Sequence, residues 1–227
     1  MISWTVPVGS ETTSAIYDPG EGDAIADTVF VCAHGAGGNM VDGGMQKTAK
    51  ALVARGVNLV RFNFLYKEKK SGRPDPMPKL QECYSAVVDQ VRRELNPSKL
   101  IIGGRSMGGR AASMMAADGF ACDALLLYAY PLHPAGQPAK LRDAHLPSIK
   151  VPVLCFNGTR DALCTPSLME KALETVTTEW RMEWIEGADH SFHVLKSSGR
   201  NDTQIMEEIG DLSAAWIREK RKTNLKL

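Results

Sequence analysis

A serine enclosed by small residues is the first candidate for chemistry in this sequence. The segment GGRSMGGR, residues 103–110, places four glycines and two arginines around Ser106, directly after an aliphatic run. Such a segment is either a flexible linker or a sharp strand-to-helix turn that presents a hydroxyl group. In such a turn the residues two before and two after the serine are crowded, so Gly104 and Gly108 would avoid Cβ clashes. The serine then lies at a helix N-terminus, where the N–H of Met107 can donate to a developing oxyanion.

Two further residues supply what a serine nucleophile needs. A neutral hydroxyl is a weak nucleophile, so a histidine must take its proton and a carboxylate must orient that histidine. Asp161 follows the apolar run VPVLCFNG, 55 residues after Ser106, and His190 follows EWRMEWI, 29 residues later. The order Ser…Asp…His, together with the G-x-S-x-G pattern of GRSMG, is that of a nucleophile-elbow triad. The sequence therefore predicts Ser106, Asp161 and His190 as nucleophile, orienting acid and general base.

Each member of this set has a competing interpretation. The serine can be an ordinary helix N-cap, and the acid can be a solvated loop residue. Asp189 is adjacent to the histidine, but neighbouring residues seldom orient each other's rings. Asp123 precedes its strand and so belongs to the opposite edge of the sheet. His193 competes with His190, which is preferred because it lies nearer the strand end.

A second glycine-rich segment, HGAGG, also follows a strand-like run. The second oxyanion donor should come from it, with Ala36 as the first choice and Gly37 as the next. Three polar residues at strand ends are candidates for the walls of a substrate pocket: His34, Arg105 and His133. Two of them have structural alternatives, since His34 can shape its loop through backbone hydrogen bonds and Arg105 can pin a loop carboxylate.

The elements that position these residues follow from hydrophobic periodicity. After an N-terminal stretch whose alternation predicts an antiparallel hairpin, short apolar runs alternate with segments of helical period. This predicts an α/β fold with a mostly parallel central sheet and helices on both faces, in a single domain over residues 1–227. Ligands of such sheets bind beyond the carboxyl ends of the strands. The segment 131–151, which carries four prolines, is the only candidate for a lid, and it predicts a minimal one.

The individual elements are predicted from the same patterns. The strands after the hairpin are TVFVCAHG, VNLVRFNF, KLIIGGRS, ALLLYAY, PVLCFNG and EWRMEWI. The helices are MQKTAKALVARG, KLQECYSAVVDQVRREL, MGGRAASMMAAD, SLMEKALETV and residues 202–220. A polar, proline-rich loop is predicted over residues 67–78.

Composition excludes several classes of function. The 27 basic and 26 acidic residues leave a net charge of +1, which favours neither nucleic acid nor a membrane surface as a partner. The basic C-terminal stretch REKRKTNLKL is interpreted as a solvated end. The five cysteines are scattered and form no zinc pattern, so we expect reduced thiols and no metal. No signal peptide and no apolar run of membrane length is found, so we expect a cytoplasmic protein, as a monomer or homodimer.

Five short motifs carry a resemblance to a known family. HGAGG, GGRSMGGR, YPLHP, LRD and GADHSF resemble the small α/β-hydrolases related to testis-expressed protein thirty and to the hydrolase-like domain of a subunit of the NSL histone-acetyltransferase complex. The chain is more distantly similar to dienelactone hydrolase. The resemblance covers about residues 4–220 and implies the hydrolase fold, with a serine triad at Ser106, Asp161 and His190. It implies no particular substrate.

We therefore expect a serine hydrolase that acts on a small acyl ester or thioester through an acyl-enzyme, without a metal or organic cofactor. The short lid favours short acyl groups over long lipid chains. The base must be neutral to act, so turnover should fade below the free-histidine value of about pH 6.5. Two alternatives stay open: an interaction module that keeps the fold without using it, and acyl transfer or peptide cleavage by the same triad.

Overall fold

An eight-stranded sheet forms the centre of the protein. The computed structural model describes residues 1–223, with side chains described for residues 1–221. The strands are β1 (Ile2–Val8), β2 (Glu11–Asp18), β3 (Thr28–Ala33), β4 (Asn58–Phe62), β5 (Lys99–Arg105), β6 (Ala124–Tyr128), β7 (Val153–Gly158) and β8 (Trp180–Ile185). Their spatial order is β1-β2-β4-β3-β5-β6-β7-β8. The β1–β2 and β2–β4 pairs are antiparallel and all the others are parallel, which confirms the predicted hairpin and mostly parallel sheet.

Helices cover both faces of this sheet. They are α1 (Gly43–Val53), α2 (Leu65–Glu68), α3 (Met77–Leu95), α4 (Met107–Ala117), α5 (Pro166–Leu173) and α6 (Asp202–Thr223). One apolar layer joins the sheet to α2, α3, α4 and α5, and a second joins it to α1 and α6. The predicted α/β class is therefore confirmed.

The core follows from the alternation of side chains along buried strands. In β3, all six residues are buried, as its almost uninterrupted apolar run predicts for a strand covered on both faces. Val29 and Val31 enter the layer beside α3 and α4, whereas Phe30 and Cys32 enter the layer beside α1 and α6. Because successive side chains point to opposite faces of the sheet, one strand contributes to both apolar layers.

Local signals explain where several helices begin and end. Asp42 is the N-cap of α1, where its carboxylate accepts the N–H of Met45 at 2.8 Å. Asn96 ends α3 in the left-handed conformation with φ 42°, and Pro97 prevents continuation. Pro166 opens α5, where its missing N–H is no loss.

The structure differs from the predicted elements at several boundaries. The loop predicted over residues 67–78 is shorter, because α2 extends to Glu68 and α3 already begins at Met77. Strands β4 and β6 each end two residues early, where the chain turns into loops at the carboxyl edge. The final helix continues to Thr223, and residues 224–227 of the basic C-terminal stretch lie outside the described residues. None of the described helices is both long and apolar enough to cross a membrane.

Candidate active site

Ser106 occupies a strained turn between β5 and α4. Its φ of 50° and ψ of −115° are unfavourable for a residue with a side chain. The neighbouring glycines permit the turn: a Cβ on Gly104, whose φ is +139°, would lie 2.2 Å from the carbonyl oxygen of Ala33. A Cβ on Gly108 would lie 2.7 Å from Ala33 as well. The turn is a nucleophile elbow in geometry, and GGRSMGGR is not a linker.

The three predicted triad residues meet in one chain of hydrogen bonds. The Oγ of Ser106 lies 2.9 Å from Nε2 of His190, and Nδ1 of the same ring lies 2.7 Å from Oδ2 of Asp161. Because the carboxylate can only accept, Nδ1 carries a proton and Nε2 is left to accept the serine hydroxyl. This tautomer is the one that a general base for Ser106 requires.

The triad carboxylate is held on both of its oxygens. The Asp161 side chain is completely buried, which leaves no water to compete for it. Its Oδ1 accepts the N–H of Leu163 at 2.8 Å, and its Oδ2 accepts Nδ2 of Asn157 at 3.1 Å in addition to the histidine. These contacts satisfy a buried carboxylate and fix the oxygen that faces His190.

Asn157 is a residue that the sequence analysis missed. It is fully buried in β7, and its amide also pairs with both backbone groups of Tyr130 at 3.1 Å. It thereby links the end of β7 to the segment after β6. The available signal is its place in VLCFNG: a strongly polar side chain inside an otherwise apolar buried strand requires partners.

The loop after β3 passes directly beside the serine. A Cβ on Gly35 would lie 3.5 Å from the Cβ of Ser106. His34 accepts the N–H of Phe64 on Nε2 at 3.1 Å, so its Nδ1 carries the proton and donates to the carbonyl of Gly35 at 2.7 Å. Burial lowers the pKa of His34 to about 4, which keeps the ring neutral. Since C=O and N–H of a trans peptide point in opposite directions, the N–H of Ala36 is directed away from the buried ring.

A second contact orients the next peptide of this loop. The hydroxyl of Tyr66 donates to the carbonyl of Ala36 at 2.7 Å, so the N–H of Gly37 points away from Tyr66. Both loop residues line the same cleft as Ser106. Met107 is the first residue of α4, where the backbone N–H has no partner within the helix. That the N–H groups of Ala36, Gly37 and Met107 act as oxyanion donors stays a prediction.

The cleft has a volume of about 610 Å³. It contains Ser106, His190 and Arg105, and its remaining walls come from the loop after β3, the first turns of α1, Leu163, the segment between β8 and α6, and the first turns of α6. No residue of the segment 131–151 lines it. That segment instead buries Leu132 and Leu146 completely in the core, so it does not cover the cleft as a lid would.

Two candidate pocket residues require correction. His34 is completely buried and shapes the loop after β3, as its structural alternative proposed. His133 is also buried: its Nδ1 contacts the carbonyl of Pro134 at 3.1 Å, and its Nε2 accepts the N–H of Thr165 at 3.1 Å. Neither histidine lines the cleft, because each ring is used to fasten backbone segments.

Arg105 does line the cleft, but its nearest partner is not a carboxylate. Its Nη2 donates to the carbonyl of His190 at 2.8 Å, and its guanidinium lies 5.8 Å from the ring centre of Phe192. The residue that precedes the nucleophile thus holds the loop of the candidate base. Arg105 therefore holds a loop, as its structural alternative proposed, but its partner is a backbone carbonyl and not a loop carboxylate.

The rival acid and base have other roles. Asp189 accepts the N–H groups of Ser191 at 2.7 Å and His193 at 3.0 Å, which shapes the turn that carries His190. His193 pairs with Asp202 at the surface. Among residues 1–223, no group of three or more His, Cys, Asp or Glu side chains is arranged to hold a metal ion.

The fold and the geometry of this site are those expected of the α/β-hydrolase class. The family described as an alpha/beta hydrolase domain matches residues 26–218. The chain therefore belongs to the alpha/beta hydrolase family.

Solved structures from three bacteria share this fold. An alpha-beta serine hydrolase homologue from Coxiella burnetii is 20% identical with a TM-score of 0.75, covering 92% of this chain and 96% of that one. A serine hydrolase without a lid from Xanthomonas campestris is 22% identical with a TM-score of 0.74, covering 95% and 94%. Dienelactone hydrolase from Anabaena variabilis is 21% identical with a TM-score of 0.74, covering 96% of each chain. At these identities the similarity establishes the fold alone.

Proposed function

We propose that this protein is a serine hydrolase of small acyl esters or thioesters that acts through Ser106, His190 and Asp161. The observation that carries the proposal is the continuous contact from hydroxyl to imidazole to buried carboxylate, 2.9 Å and then 2.7 Å, at the wall of an open cleft. Membership of the alpha/beta hydrolase family and the serine hydrolases among the structural relatives support the same class.

In the acylation half, the Oγ of Ser106 forms a bond to the substrate carbonyl carbon and its proton passes to Nε2 of His190. Asp161 accepts the hydrogen bond from Nδ1–H throughout, without taking the proton, and stabilises the imidazolium. The carbonyl oxygen becomes an oxyanion, which the N–H groups of Met107 and Ala36 stabilise, with Gly37 as a further donor. When the tetrahedral species collapses, the bond to the leaving alcohol or thiol breaks and the histidine returns its proton to that group.

In the deacylation half, water replaces the departed alcohol or thiol. Nε2 of His190 takes one water proton while the oxygen attacks the acyl carbon, and the same oxyanion donors act a second time. Collapse releases the acid and returns the proton to Ser106, so the enzyme is restored. Neither half needs a metal or an organic cofactor.

We further propose that the substrates of this cleft have short acyl groups. The segment 131–151 does not cover the site, and the structural relative from Xanthomonas campestris is described as lacking a lid. A cleft without a cover offers little apolar surface for a long lipid chain. We also propose, from the five short motifs, that within the family this chain is related to the small hydrolases that resemble testis-expressed protein thirty. We propose that the chain acts as one domain, as a monomer or homodimer, in the cytoplasm.

Labelling with a fluorophosphonate probe tests the proposal, because the probe reacts with a serine only where a base and an oxyanion site activate it. We expect the native protein to be labelled and Ser106→Ala not to be. Ser191→Ala is the matched control, since Ser191 lines the same cleft but its hydroxyl makes no hydrogen bond with a described triad residue, and it should keep its label. A folded native protein that takes no label and hydrolyses no p-nitrophenyl ester would be a non-catalytic module instead.

A further inference from the structure

Arg105 has donor groups that no acceptor among the described residues uses. One of its nitrogens, Nη2, donates to the carbonyl of His190, and no carboxylate of a described residue lies within 4.0 Å of its guanidinium. Its Nη1 is directed to the opposite wall, 3.7 Å from the position that a Cβ on Gly44 would take. Half-buried arginines normally have a carboxylate partner, because desolvation of the guanidinium otherwise costs free energy.

A second cation lines the same cleft. Lys47, on the second turn of α1, is exposed and makes no hydrogen bond or ion pair with a described residue. Gly43 and Gly44 line this cleft as well, and neither carries a side chain that would fill the space. Two cations therefore line the cleft that contains the serine.

The carboxylates of the cleft, in contrast, are already engaged. Asp42 accepts the N–H of Met45 on Oδ1 and that of Asn39 on Oδ2, both at 2.8 Å. Asp202 pairs with His193. The cleft thus offers free donors on its cations while its carboxylates have partners, which suits a ligand that brings an acceptor of its own.

We infer that the cleft selects esters or thioesters that carry a carboxylate on the acyl part, with Arg105 and Lys47 as the residues that bind it. This inference rests on the proposed function, since it names the substrate class of the same site. A carboxylate can accept Nη1 of Arg105, a charge-assisted contact that gains strength in a partly desolvated cleft. Burial lowers the pKa of Arg105, while the charges of Asp42, Asp189 and Asp161 act in the opposite direction.

Two p-nitrophenyl esters of equal carbon number test this selection: the glutarate monoester, which carries a carboxylate, and the pentanoate, which is neutral. Spontaneous hydrolysis of each is subtracted by means of Ser106→Ala. We expect kcat/KM of the native protein to be on the order of tenfold higher for the glutarate monoester, the effect of one charge-assisted contact.

The variants are compared through the ratio of the two kcat/KM values. Arg105→Gln also loses the bond to the carbonyl of His190, so both esters should slow, but the ratio should fall to about one. Lys47→Gln should lower the ratio by two- to threefold, a typical effect for an exposed charge. Lys50→Gln is the matched control, because this exposed lysine lies on α1 outside the cleft, and it should leave the ratio unchanged.

A binding measurement that needs no turnover separates this inference from the proposed function. Ligand-observed NMR should detect binding of monomethyl glutarate to Ser106→Ala, but no binding of the neutral dimethyl ester. With the double variant Ser106→Ala/Arg105→Gln, it should detect binding of neither ester. A native ratio at or below one, or a ratio that Arg105→Gln leaves unchanged, overturns the carboxylate site while hydrolysis of the pentanoate still supports the serine hydrolase. Binding of the anionic ester without turnover of either ester would refute the hydrolase and keep the site.

Discussion

Removal of the Asn157 side chain should damage the candidate triad more than the loss of stability alone would explain. Asn157→Ala takes away the donor to Oδ2 of Asp161 and leaves the N–H of Tyr130 buried without its partner, whereas the C=O of Tyr130 keeps the N–H of Leu132. One unsatisfied buried group costs about 1–3 kcal/mol and the lost hydrogen bond to Asp161 adds about 1 kcal/mol, so we expect the free energy of unfolding to fall by about 3 kcal/mol.

The effect on activity follows from the position of the lost donor. With one contact to Oδ2 removed, Asp161 can rotate, and its 2.7 Å contact with His190 is no longer fixed. Displacements of this kind reduce turnover on the order of ten- to a hundredfold. The measurement is kcat for p-nitrophenyl pentanoate, divided by the folded fraction obtained from urea unfolding.

Asn58→Ala is a matched control for this prediction. The amide of Asn58 makes four hydrogen bonds, at 3.0–3.2 Å, but Asn58 opens β4 at the amino edge of the sheet, opposite the site. Its loss should lower stability by about 2–3 kcal/mol and leave kcat per folded molecule unchanged. If Asn157→Ala keeps the same kcat per folded molecule as Asn58→Ala, the residue merely supports the fold and our argument for positioning is wrong. Should the alanine variant not fold, Asn157→Asp preserves the shape and places a second carboxylate against Asp161, and it should lower kcat as well.

Two further outcomes follow from the elbow and the loop beside it. Gly104→Ala should lower the free energy of unfolding by more than about 3 kcal/mol, since the new Cβ meets backbone at 2.2 Å and φ is +139°, whereas Gly72→Ala, which meets nothing within 4 Å, should be nearly neutral in urea unfolding. His34 binds a proton in the unfolded chain below about pH 6.5, but in the folded chain only below about pH 4. The free energy of unfolding therefore falls by about 1.4 kcal/mol per pH unit as the pH drops from about 6.5 to about 4. Urea unfolding between pH 7 and 5 should show a shallower pH slope for His34→Asn, and equal slopes would contradict the buried neutral ring.

The sequence predicts the sheet and the triad for a physical reason. Parallel strands bring all their carboxyl ends to one edge, so a serine, an aspartate and a histidine that follow three strands must lie near one another. The crowded turn at Ser106 is equally predictable, because Gly104 has a specific steric task that leaves no room for a Cβ. These features depend on chain order and local sterics, which the sequence displays directly.

The contacts that hold the site depend on distant side chains, and these could not be predicted. His133 follows a strand as the triad residues do, yet its ring turns into the protein to fasten the start of α5 at Thr165. Position relative to a strand does not reveal the direction of a side chain. Asn157 was missed for the converse reason, since it lies within the apolar run of its strand, where only the structure shows that its partner is Asp161.

Four neighbouring strand ends are joined by direct contacts, and this accounts for the closeness of residues that lie far apart in the chain. The N–H of Ser106, after β5, donates to the carbonyl of Tyr128 at the end of β6 at 2.8 Å. Asn157 of β7 joins the backbone just beyond β6, and Arg105 of β5 holds the loop after β8 through the carbonyl of His190. Ser106, Asp161 and His190 are therefore each linked to a neighbouring strand end as well as to their own. These links between strand ends restrict the independent motion of the three side chains. A hydrogen-bond chain that has to be aligned before a substrate carbonyl binds requires such restriction.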